Sequence, residues 1–137
     1  MRPRKVILLV NANEDELGMQ QYMLTVRGYR VLIAHEADAA LALAALGVDL
    51  VLGFADGMLK EWRALAEGMK RDQPSVPIML VTKLQADHAR AALAPAADTV
   101  ELRTNAVELM ERVRVVIARK RGPKKVIFEP IVAMAGD

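Results

Sequence analysis

Three places in this chain hold residues that could do chemistry. The first is Asn11–Asp15 (NANED), where an aliphatic run stops at small polar and acidic residues. Carboxylates in such a place can hold a hard cation, and Glu14 and Asp15 are the acids available. The second is Asp56, in the stretch FADGM. An aspartate followed by glycine there reads as an Asp-Gly turn. The third holds Thr82, a hydroxyl that can satisfy the end of a strand, and Arg103, a guanidinium that could bind an anion with nearby backbone amides. Arg103 could equally pair with an acid. His35 and His88 lie far apart with no ligand partners in spacing, so both read as surface or boundary residues. Trp62 reads as a core anchor. The chain has no cysteine, which excludes disulfides, thiolate catalysis and Cys-ligated zinc.

Stepping along the chain gives the elements that must position these groups. Lys5–Val10 (KVILLV) is a continuous β-rich run, as expected of a strand buried on both faces. A helix follows from Asn13 or Glu14 to Arg27, with Asn13 as its cap, acids in its first turn and Gly28 just past its end. Its apolar side is predicted from Leu17, Tyr22, Met23, Leu24 and Val26. Tyr29–Ala34, Asp49–Phe54, Pro77–Val81 and Asp98–Leu102 read as further strands, the last the weakest. Helices are predicted over Glu36–Leu46, Leu59–Asp72, Ala86–Leu93 and Ala106–Lys120. In the last, Val107, Leu109, Met110, Val113, Val116 and Ile117 keep helical spacing.

Strict alternation of strand and helix predicts an α/β fold with one doubly wound, five-stranded parallel sheet and helices on both faces. Function in such folds collects at the carboxyl ends of the strands. All three chemical places fall there. Residues 120–137 stand apart from residues 1–119. Arg119–Lys125 (RKRGPKK) is a basic run around a Gly-Pro break, followed by the apolar Val126–Met134 (VIFEPIVAM). Such a tail either folds back on its own domain or packs on a second chain.

Bulk properties narrow the classes of function. Of 137 residues, 53% are apolar, enough for a real core. The net charge is only +2, so no general nucleic-acid or membrane surface is implied. The basic run lacks the aromatic interleaving of single-strand binders. No apolar run reaches the roughly 20 residues of a membrane helix, and no signal peptide is visible. The cysteine-free composition suits a reducing cytosol. No glycine-rich loop follows the first strand, which argues against a flavin or nucleotide site.

The order and spacing over residues 4–119 resemble the receiver domain of bacterial response regulators, the chemotaxis-receiver type. The resemblance rests on KVILLVNANEDEL with its following helix, on PIMLVTK, and on AADTVELRTNAVELMERVRVVI. It implies the flavodoxin-like (βα)5 fold with strand order 2-1-3-4-5. It also implies a phosphorylation pocket of five groups. Two acids after the first strand bind Mg²⁺, an Asp ending the third accepts the phosphoryl group, a Thr or Ser senses it, and a Lys pairs with it.

Here those positions hold Asn11 and Ala12, Phe54, Thr82 and Arg103, with Thr104 where a proline is usual. The loop after Phe54 is also about two residues shorter than the resemblance implies. The expectation is a degenerate pocket, filled by Phe54, in a pseudo-receiver with no catalysis, no metal and no cofactor. It acts through protein contacts in a signalling pathway of the two-component kind. A homodimer through the last helix or the tail is one form of that contact, with Val107, Met110, Phe128 and Ile131 as candidate partner residues. The rival is a Mg²⁺-dependent receiver that uses Asp56 as a relocated acceptor.

Overall fold

A computed structural model describes residues 4–56, 59–83 and 85–119. The chain alternates β1 (Val6–Val10), α1 (Glu14–Val26), β2 (Arg30–Ala34), α2 (Ala37–Ala44), β3 (Leu50–Phe54), α3 (Leu59–Asp72), β4 (Ile78–Thr82), α4 (Ala86–Leu93), β5 (Thr99–Leu102) and α5 (Ala106–Ala118), with a 3₁₀ turn at Ala94–Ala96 before β5. The strands form one parallel sheet in the order β2-β1-β3-β4-β5. The predicted fold class and strand order are therefore those observed.

The three central strands are apolar almost throughout because both faces are covered. Alternate residues of β1, β3 and β4 point to opposite layers. Leu8, Val10, Val51, Ile78 and Leu80 join Trp62, Leu65 and Met69 of α3 and the alanines of α2. Ile7, Leu9, Leu50, Leu52, Met79 and Val81 join Leu17 and Leu24 of α1 and Met110, Val113, Val116 and Ile117 of α5. Burying a side chain of this size is worth ~1.5–3 kcal/mol, so these two layers dominate the fold's stability.

Close packing fixes one glycine. A Cβ at Gly53 would lie 2.3 Å from the Trp62 ring, so only glycine lets the indole rest on β3. Trp62 is the core anchor its sequence suggested, 6% exposed. Gly28 and Gly47 both have φ +98°, the left-handed conformation that ends α1 and follows α2. At the amino edge of the sheet two aspartates close open strand ends. Asp49 Oδ2 accepts the Val6 N–H, and Asp98 Oδ2 accepts the Ile78 N–H, each at 2.7 Å.

Three details differ from the sequence pattern. Tyr22 and Val26 lie on the solvent side of α1, 64% and 60% exposed, because Leu17 and Leu24, with Met23 beside them, set its inward face. Val107 is 72% exposed. Met110, expected at a partner surface, is 3% exposed and packs inside the α1–α5 layer, so its side chain has no surface to offer. Phe128 and Ile131, and the whole tail 120–137, lie outside the described residues.

Candidate functional site

The carboxyl ends of β1, β3, β4 and β5 converge, as parallel pairing requires. Asn11 follows β1 directly, and its N–H continues the ladder by donating to the Ala34 carbonyl at 3.1 Å. Its side chain is buried, 4% exposed, and fully engaged. Oδ1 accepts the Asn13 N–H at 2.9 Å. Nδ2 donates to Glu16 Oε1 at 3.0 Å and to Gln20 Oε1 at 3.1 Å. The amide oxygen is thus turned toward the backbone and away from any cation. Asn13 caps α1 as predicted, its Oδ1 accepting the Asp15 N–H at 2.9 Å.

Phe54 ends β3. It is 7% exposed and packs into the α1–α5 layer. Arg103, at the end of β5, lies over it, with its guanidinium carbon 5.0 Å from the ring centroid. That is within the ~6 Å reach of a cation–π contact. Arg103 reaches its place because its N–H donates to the Thr82 carbonyl at 2.8 Å. Thr82 itself is completely buried.

Two acids hold the guanidinium. Glu16 takes it as a fork: Nη1 donates to Oε2 at 3.1 Å and Nη2 to Oε1 at 2.9 Å. Asp56 Oδ2 accepts from Nη2 at 2.9 Å, and its Oδ1 accepts the Lys83 N–H at 2.7 Å. Nε is buried with no hydrogen-bond partner. The Arg103 hydrogen bond, then the Asn11 hydrogen bond, holds the Glu16 carboxyl below its ordinary range. The hydrogen bond to Glu16 correspondingly raises the Arg103 pKa above its usual value. One cation and two anions so form a closed cluster that ties β1–α1, β3, β4 and β5 together.

The sequence positions Asn11, Ala12, Phe54, Thr82 and Arg103 do come together at this end of the sheet. Arg103 pairs with acids, one of the two roles its sequence allowed. Asp56 does reach the site, although β3 ends at Phe54. The metal cluster imagined for it does not form. Glu14 sits 3.7 Å from His35 instead, and among the described residues no three His, Cys, Asp or Glu side chains are grouped to hold a metal. Glu16 is the residue that sequence reading missed. Its spacing from Asn13 fits a capping box, in which Glu reaches back to the cap's N–H. Asn11 already occupies that N–H, which frees Glu16 to reach Arg103, 87 residues away.

Phe54 does not fill the region entirely. Beside it lies a cavity of about 440 Å³, bordered by Val10, Asn11, Phe54, Asp56, Trp62 and Lys83. Apolar floor and polar rim are mixed there.

No family profile matches the sequence, and no curated protein does. Solved structures do match, and they define the class of fold first: doubly wound, flavodoxin-like. Within that class the neighbours are response regulator receiver domains. The signal receiver domain of an HD domain-containing protein from Pseudomonas fluorescens is 25% identical, with a TM-score of 0.73 over 85% of this chain and 89% of that one. A response regulator receiver domain protein from Methanospirillum hungatei is 24% identical, TM-score 0.71, over 84% and 94%. The receiver domain of a sensor histidine kinase from Pseudomonas aeruginosa, with magnesium coordinated in its active site cleft, is 20% identical, TM-score 0.75, over 85% and 100%.

Proposed function

We propose that this chain is a pseudo-receiver: a response-regulator-like signalling module that acts through protein contacts, without phosphorylation, catalysis or a cofactor. One observation carries this reading. A phenyl ring holds the acceptor position, and the guanidinium above it is already held by Glu16 and Asp56. Phosphoryl transfer to a receiver needs an acceptor oxygen, a metal and a cation free to meet the new charge. Asn11 and Ala12 offer no carboxylate, and Mg²⁺ sites of this kind use one or two. The partner is a protein. Val107 and Leu102, 72% and 43% exposed near the start of α5, are surface apolar residues suited to such a contact, including one between two copies.

The second reading, Asp56 as a relocated acceptor, has its position in its favour. It requires Asp56 to release both the Arg103 guanidinium and the Lys83 N–H. Intact mass after incubation with acetyl phosphate and Mg²⁺ separates the two. The expected result is no phosphoryl adduct on the wild type. An adduct that disappears in Asp56→Ala would replace the pseudo-receiver reading with the relocated acceptor.

A further inference from the structure

α1 is apolar on two opposite sides. Leu17 and Leu24 face the sheet and are buried. Met19, Tyr22 and Val26 form a row about half a turn round, and are 64%, 64% and 60% exposed. A surface helix normally keeps that side polar. One acid and one base bracket the row. Asp15 opens it, and Arg27 lies just past its end. Among the described residues neither side chain closes an ion pair. Glu111, the acid of α5 that Arg27 senses, is taken by Arg114.

Gly18 is a second, independent observation. It stands inside α1, where glycine weakens a helix relative to alanine. A Cβ there would meet nothing within 4 Å, so no neighbour among the described residues requires glycine. The missing side chain leaves an exposed notch beside Met19 and Tyr22.

We propose that this face takes the same face of a second copy, as an antiparallel α1–α1 pair about a two-fold axis near Tyr22. A two-fold contact needs a self-complementary surface, and this one has opposite charges at its two ends. Turning one helix end for end about Tyr22 sets Val26 against Met19 and the Gly18 notch of the second copy. It also brings Arg27 within side-chain reach of the second copy's Asp15, and the reverse. A parallel pair would set acid against acid, so charge selects the antiparallel one.

The other exposed apolar residues lack this pattern. Leu46 stands past the end of α2, which carries Asp38 and no base. Leu102 and Val107 lie on β5 and α5, where Arg112 pairs with Glu101 and Arg114 with Glu111 inside one copy. The α1 contact is small, so the pair is weak, with a dissociation constant of about 0.1–1 mM. It does not depend on whether Asp56 accepts a phosphoryl group.

Sedimentation equilibrium of the full chain, from about 10 µM to about 2 mM, tests this. The mass is expected to rise from one copy toward two. Tyr22→Glu should weaken association about tenfold or more, and Val107→Glu should leave it unchanged. Gly18→Gln should weaken association yet raise the unfolding midpoint of the dilute chain, opposite signs that a purely internal role for Gly18 would not give. Asp15→Arg and Arg27→Asp should each weaken self-association, and a mixture of the two variants should regain it. A single-copy mass throughout the range overturns the proposal. So does association that survives Tyr22→Glu or Gly18→Gln, or that Val107→Glu abolishes, and so does a mixture no stronger than its two components.

Discussion

Arg103 decides most of what happens at the residue scale. Its fork with Glu16 is half-buried, with side chains 24% and 26% exposed, so solvent weakens it without removing it. Glu16→Gln leaves the shape and takes the charge. It is expected to lower stability by about 1–2 kcal/mol at neutral pH, read from urea unfolding. The pH dependence has a definite sign. The folded-state pKa of Glu16 is depressed, so its contribution is present above the unfolded value and is lost as pH falls through the folded one. The difference between wild type and Glu16→Gln should therefore close in acid.

Phe54→Asp makes a second test at this scale. It puts an acid back at the acceptor position, yet Asn11 and Ala12 still supply no metal ligands. The variant is expected to lose about 3–5 kcal/mol from the α1–α5 layer, and still to show no phosphoryl adduct by intact mass with acetyl phosphate and Mg²⁺.

At the element scale, α3 meets β3 through one pair. Gly53→Ala drives a methyl into the Trp62 ring and is expected to cost about 1–3 kcal/mol, read as a lower unfolding midpoint. Trp62→Leu on its own should also destabilise. The double variant should lose less than the sum, since the smaller side chain makes room for the methyl.

Elements were also what the sequence made most legible. Continuous apolar runs marked the buried strands, glycines marked helix ends, and α3 and α4 begin and end where predicted. Side-chain direction was less legible. Helical spacing placed Met110 and Val107 on one apolar side of α5, but only the sheet's position says that the first is covered and the second is not. Glu16 was hidden for another reason. Local spacing accounts for it as one more acid in a helix's first turn, and its real partner is fixed by the crossing of β5 beside β4, which no local pattern encodes.

At the scale of the whole molecule, a receiver works by having two states that a phosphoryl group can rebalance. A ligand shifts such a balance only through a difference in affinity between the states. On the pseudo-receiver reading, with Phe54 buried and Arg103 held, Mg²⁺ with beryllofluoride, a phosphoryl mimic, finds no site that distinguishes them. The thermal midpoint is therefore expected to stay where it is when both are added. A rise in the midpoint would show that the mimic binds the folded chain.

The closed cluster at Arg103 has one more consequence, which concerns mutational paths. A carboxylate introduced at residue 54 would join Glu16 and Asp56 around the Arg103 guanidinium, a third anion competing for it. A carboxylate at residue 11 would face Glu16 and Gln20, where an amide now donates to both. Each single step toward an acid-rich pocket is thus a loss, and the gain comes only when several are taken together. On the pseudo-receiver reading the pocket resists reversal: neither of these two substitutions alone restores phosphate chemistry.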